Sequence, residues 1–113
     1  MIRFTELAIH KMMGMRLTAA GDAHILELPE SPLLLNQVGT IHAGVQFALG
    51  EACSGEFLLR CLGNDLSRAF AVLRTSNVKF RNPAHGELRA SARLLKKSDA
   101  SLNLRISEIH GIP

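Results

Sequence analysis

Residues 43–62 run for a full twenty residues without a proline, and Gly63-Asn64-Asp65 closes the run. A helix of that length is about 30 Å long, roughly the diameter of a small domain. In a chain of 113 residues the rest must therefore be arranged around it. The run is also rich in small residues: Ala43, Gly44, Ala48, Gly50, Ala52, Cys53, Ser54 and Gly55. Glycine inside a helix costs up to about 1 kcal/mol relative to alanine, so this pattern predicts a helix pressed closely against other backbone. Phe47, Leu49, Phe57, Leu58, Leu59 and Leu62 spread around the helix and form no single narrow stripe, which predicts burial on most sides.

After the helix the apolar period falls from 3.6 to 2. In residues 70–80, Phe70, Val72, Val78 and Phe80 share one face. In residues 87–94 the alternation is clean, with Leu88, Ala90, Ala92 and Leu94 on one face and Glu87, Arg89, Ser91 and Arg93 on the other. Residues 101–106 repeat it, with Leu102, Leu104 and Ile106 inward. One apolar face per strand marks an antiparallel sheet covered on one side. Hairpin connections are predicted through residues 82–86 and 96–99. Before the helix, residues 5–13 read as a short helix with Thr5 as N-cap and Gly14 as terminator. Residues 15–20 and 23–28 read as extended segments around the turn pair Gly21-Asp22. The fold class that follows is α+β, a curved antiparallel sheet wrapped around one long buried helix, in a single domain spanning residues 1–113.

Composition narrows the function. The chain is 47% hydrophobic and 20% charged, as globular domains are. It has no Trp, no Tyr and five Phe, which argues against stacking platforms for single-stranded nucleic acid. The net charge of +3 comes without a basic run, so no nucleic-acid arm is expected; an ordinary solvated surface is the default reading, and a preference for anionic ligands is the functional one. No apolar stretch is long enough to cross a membrane, and the start of the chain does not resemble a signal peptide. Cys53 and Cys61, eight residues apart on one helix, are about 12 Å apart and cannot form a disulfide. Their apolar neighbours predict small buried residues in a reducing, cytoplasmic compartment. The five histidines are scattered, so no metal site is expected.

The chemistry is concentrated in residues 36–51. Asn36-Gln37-Val38-Gly39-Thr40-Ile41-His42-Ala43-Gly44 leads into the helix, and Glu51 lies two turns inside it. A helix N-terminus offers unpaired N–H groups and partial positive charge, the makings of an oxyanion site. Ala43 and Gly44 have no bulk to block an approaching carbonyl. Glu51 is an acid on an apolar helix, which is costly without a role or a partner, and burial would raise its pKa toward that of a general base. Each residue has a structural reading as well: His42 as a helix-start residue, Asn36 as a turn former, Glu51 as half of an ion pair with an arginine. Their joint spacing favours the catalytic reading.

Asn36-x-x-Gly39-x-x-His42-Ala43-Gly44, with Glu51 nine residues after the histidine, resembles the signature of the hotdog-fold thioesterase superfamily in its PaaI-type form. Gly39-Thr40-Ile41-His42-Ala43-Gly44 followed by Glu51-Ala52 is closer to the YiiD C-terminal-like branch, and Phe80-Arg81-Asn82-Pro83-Ala84 is similar to the family's strand end. The resemblance implies a hotdog fold assembling as a homodimer, or as a dimer of dimers (a homotetramer), and hydrolysis of acyl-CoA without metal or cofactor, CoA entering only as part of the substrate. It implies Glu51 as nucleophile or base, the N–H of Ala43 or Gly44 polarising the thioester carbonyl, and Asn36 and His42 orienting water or substrate. The carboxylate and the oxyanion donor would come from different subunits. Lys79, Arg81, Arg93, Lys96 and Lys97 are candidates for the CoA phosphates, against the alternative of a solvated outer sheet face.

The sequence departs from the family pattern in three places. Ala43 replaces the first glycine after the histidine. The helper serine or threonine of some members falls near Leu73, with Thr75 and Ser76 close by. Gly111 reads as a turn after which the family's last strand should follow; either the chain is truncated or the sheet is one strand short, which would leave an exposed edge. These departures motivate the alternative of a non-catalytic acyl-CoA or lipid-binding hotdog module. Hydratase and dehydratase motifs are not seen.

Overall fold

The computed structural model describes residues 3–62, 75–97 and 102–112, with side chains described for residues 3–61 and 75–93. It is an α+β arrangement: one long helix lies against an antiparallel sheet whose four described strands follow chain order, β1-β2-β3-β4. The strands are β1 (Arg16–Leu17), β2 (Leu26–Leu28), β3 (Glu87–Lys97) and β4 (Leu102–Ile112), and the helices are α1 (Ala8–Met13) and α2 (Ala43–Leu62).

Helix α2 has the limits that the proline-free run predicts. Its burial is different. Leu49, Ala52, Cys53, Glu56 and Leu59 are buried, at spacings of three, one, three and three residues, which is one stripe. Ala48, Glu51 and Gly55 on another side are only half-buried. The sheet thus covers one face of the helix, and the expected burial on most sides is corrected. The many small residues made the apolar spread look wider than the stripe the sheet uses.

The sheet's inner face comes from strict alternation. Leu26 pairs with Ala90 and Leu28 with Leu88, and all four are 0–1% exposed. With Leu49 from α2 they form the centre of the core, each fully buried leucine contributing about 1.5–3 kcal/mol. On the outer face Arg16, Glu27 and Arg89 fall in register across three strands. The Arg16 Nε donates to Glu27 Oε1 at 2.6 Å, and Arg89 stands 3.8 Å from the other oxygen. Opposite charges facing each other across strands reinforce the register that the leucines set.

Strands β3 and β4 pair over most of their length, with irregularities between Ser91 and Ala92 and between Leu94 and Lys96. Strand β4 is longer than the alternation over residues 101–106 predicts. Gly111 is no turn, because it pairs with Leu88 inside the ladder. A glycine here reads as turn chemistry, yet the neighbouring strand supplies the bonds that keep it extended. The predicted strand over residues 70–80 is not seen in its described part. Residues 75–80 have no strand partner among the described residues, and Val78 and Phe80 are 45% and 50% exposed. The rest of that strand, including Leu73, lies outside the described residues. Residues 82–86 therefore form an irregular approach to β3 and not a hairpin.

At the other end, Gly14 closes α1 at φ +86°, as its position predicts. Thr5 is not the N-cap; it sits within a 3-10 turn over Phe4–Glu6, and Leu7 starts α1 without a side-chain cap. The Phe4 ring lies on Gly55 of α2, where a Cβ would overlap it. The close approach predicted from the helix glycines is thus made here by an aromatic ring and not by backbone. Both cysteines are free, but only Cys53 is buried and Cys61 is exposed.

Candidate functional site

Residues 34–42 form a closed loop whose organiser is Asn36. Its Oδ1 accepts from the N–H of Val38 and of Thr40, both at 3.0 Å, and its Nδ2 donates to Thr40 Oγ1 at 2.7 Å. Gly39, at φ +84°, takes the left-handed turn that lets the chain come back, and Leu35 bridges Ile41. The loop is tied down on two sides: the Ile41 N–H donates to Ala84 O at 2.9 Å, and the His42 N–H to Leu34 O at 2.9 Å. Asn36 therefore spends its side chain on the loop. Of its two sequence readings, turn former and water-orienting residue, the hydrogen bonds here belong to the first.

His42 occupies the N-cap of α2. Its carbonyl accepts from Val45 and Gln46, and its Nδ1 accepts from the Gly44 N–H at 2.8 Å. An Nδ1 that accepts carries no proton, so the hydrogen of this neutral ring is on Nε2. A side chain on Gly44 would crowd the ring, about 3.0 Å from Nδ1, which accounts for glycine at this position. Of the two expected oxyanion donors, Gly44 is thus taken by the histidine. The Ala43 N–H donates to no acceptor among the described residues.

Ala43 opens on to a shallow cleft of about 250 Å³. Asn36, Thr40, Ile41 and Gln46 line it from the loop and helix, and Phe80, Arg81, Asn82 and Pro83 from the approach to β3. The Ile41–Ala84 bond holds the two walls together, and the Gln46 Nε2 donates to Ile41 O at 3.1 Å. The structure brings Asn36, Ala43 and Arg81 of the predicted site into one place. Gln46, Thr40 and Asn82 were not singled out in the sequence. Gln46 could have been, since it lies three residues after Ala43 and so on the same side of the helix.

Glu51 is not in the cleft. Eight residues along α2 from Ala43, it is about 12 Å away. It is half-buried, and no described residue gives it a hydrogen bond or a counter-charge. The fully buried acid of this helix is Glu56, which the sequence reading passed over. Glu56 is paired with Arg3, whose Nε lies 3.3 Å from Oε2, and with Arg60 one turn on, 3.6 Å from Oε1. The argument that a buried acid needs a partner thus applies to Glu56, and Arg3 and Arg60 answer it.

The predicted cations do not form one cluster. Lys79 and Arg81 are exposed beside the cleft, while Arg93 is exposed well along β3, with Lys96 and Lys97 at its far end. Thr75 and Ser76 lie exposed in the segment that pairs with none of the described strands. Burial pushes the Cys53 thiol up from its ordinary 9.0 to about 12, which keeps it protonated and inert as a nucleophile. Among the described residues no group of three or more His, Cys, Asp or Glu could hold a metal ion, and no helix is long and apolar enough to cross a membrane.

A long helix capped by a looped histidine motif and laid on an antiparallel sheet defines the class, and the family follows from comparison. Residues 15–108 match the DUF4442 family, described as a domain of unknown function, and the chain belongs to it. Among solved structures it is similar to the conserved protein PA5202 from Pseudomonas aeruginosa, with a TM-score of 0.64 and 26% identity over 93% of this chain and 86% of that one. No curated protein matches the chain.

Proposed function

We propose that this chain is a hotdog-fold thioesterase that hydrolyses an acyl-CoA to the free acid and CoA. The observation that carries the reading is Glu51, a half-buried carboxylate without counter-charge among the described residues, on the helix whose first N–H, that of Ala43, meets no described acceptor and stands at a cleft. A carboxylate kept free of cations stays available as a base, and an unclaimed N–H at a helix start is aimed where negative charge develops on a carbonyl oxygen.

In the proposed reaction Glu51 takes a proton from water as its oxygen attacks the thioester carbon. The carbonyl oxygen takes up negative charge against the Ala43 N–H. The tetrahedral intermediate then collapses, the C–S bond breaks, and Glu51 returns the proton to the leaving thiolate. Arg81, exposed at the rim of the cleft, supplies positive charge for the CoA phosphates. The separation of about 12 Å between Ala43 and Glu51 within one chain is too long for both to act on one carbonyl. The reading therefore takes the two groups from different copies in a homodimer.

The test is hydrolysis of an acyl-CoA panel followed by free-thiol detection, comparing wild type with Glu51→Ala. The expected loss is on the order of 10²-fold or more in kcat, the usual worth of a positioned base. Turnover unchanged in the variant would end the proposal. CoA binding without turnover would leave the chain a non-catalytic acyl-CoA-binding module.

A further inference from the structure

We infer that Phe4 sets the length of the acyl group that this chain accepts, as the stopper of the face of α2 that carries Glu51. This rests on the thioesterase reading above and names its substrate class, short acyl thioesters.

Glu51 and Gly55 are one turn apart, so they are neighbours on one side of the helix. Ala48, a turn earlier, shares that side, and all three are half-buried. Nothing bulky on the helix itself separates Glu51 from Gly55. The obstruction comes from elsewhere in the chain, because the Phe4 ring stands directly on Gly55 and leaves no room even for a Cβ. The seat has already been shown to take an apolar group, since a phenyl ring fills it.

The ring is also held there. His10 is buried, stacks on Phe4 with centroids 6.5 Å apart, and donates from Nδ1 to the Phe4 carbonyl at 2.6 Å. Arg3, the preceding residue, is bound to Glu56 next to Gly55. Phe4 is thus fixed from both sides, by a buried imidazole ring and by the ion pair that its neighbour Arg3 makes with the buried Glu56.

Along the axis the rise from Glu51 to Gly55 is about 6 Å. An acyl chain whose carbonyl lies at Glu51 and which follows this face meets the ring within that distance. A short chain fits, and a long one has to displace Phe4. Neither Phe4 nor Gly55 touches the reacting atoms, so Phe4 is a specificity-determining residue and not a catalytic one.

The experiment compares kcat/KM for hexanoyl-CoA and dodecanoyl-CoA in wild type, Phe4→Ala and Phe4→Leu. The ratio of long to short substrate is expected to rise about tenfold or more in Phe4→Ala, and less in Phe4→Leu, which keeps part of the filler. Equal losses on both substrates would show a merely structural ring and overturn the inference. A second measurement needs no turnover: calorimetric binding of dodecanoate to the same three proteins. Binding about tenfold tighter in Phe4→Ala supports the stopper, and equal affinity in all three overturns it. Gained dodecanoate binding in a protein that hydrolyses no thioester would remove the thioesterase reading and leave Phe4 as the stopper of a ligand site.

Discussion

Asn36 shows how a residue in a catalytic-looking motif can be committed to structure. Its carboxamide serves three bonds inside residues 36–40, two of them to backbone N–H groups. Asn36→Ala leaves those two donors to water, and the expected loss is about 0.5–1.5 kcal/mol, read as a lower urea midpoint. Asn36→Asp keeps the acceptor and lets the Thr40 hydroxyl turn round to donate to its second oxygen, so it should lie closer to wild type than to alanine. An asparagine that only oriented substrate would give the opposite pattern, with stability unchanged and activity lost. The two cysteines make a second residue-scale contrast. Cys61 is exposed, whereas Cys53 is buried with its thiol held near 12. A thiol reagent at pH 8 should label Cys61 quickly and Cys53 only on unfolding. The sign for stability follows. A thiol whose folded pKa is raised contributes fully below its ordinary 9.0, and the contribution is lost as pH rises from there toward about 12. Between pH 9 and 11 wild type should therefore lose stability faster than Cys53→Ala, measured by urea unfolding.

At the scale of the element, α2 carries three loads on three sides. Its buried stripe seals the sheet through Leu49, Ala52, Cys53 and Leu59. Its start is closed by its own His42, which takes the Gly44 N–H and leaves the Ala43 N–H without an acceptor among the described residues. Its half-buried side presents Glu51 and seats Phe4 on Gly55. The glycines follow from these loads: Gly44 makes room for an imidazole and Gly55 for a phenyl ring. At Gly44 and Gly55 the helix tolerates the propensity cost because the ring packed there recovers contact that a side chain would have made. Ala43, at the first helical position, offers a clean probe. Proline is favoured at that position and has no N–H, so Ala43→Pro deletes the free donor while keeping the helix start.

For the whole molecule, that variant tests the proposed dimer. If Glu51 of one copy works with Ala43 of another, Glu51→Ala and Ala43→Pro are each inactive alone, yet mixed dimers hold one intact site. Co-refolding the two in equal amounts should restore about a quarter of wild-type activity, since half the dimers are mixed and each has one good site of two. A site confined to one chain would give no recovery. The sequence by itself determined the limits of α2, the inward Leu88 and Ala90 of β3 and the Gly14 stop, because there the local period and terminator agree with the surroundings the chain folds into. It also marked residues 36–51 as the place of interest. Tertiary structure decided how those residues divide the work. Whether an N–H is free depends on which acceptor reaches it, so His42 closing Gly44 could not be read from the chain. Which acid is fully buried depends on the face the sheet covers, and that face took Glu56 with Arg3 and Arg60 and left Glu51 half-open. The opening of residues 36–46 into a cleft depended on Phe80 to Pro83 folding back through the Ile41–Ala84 bond, a contact that no local pattern encodes.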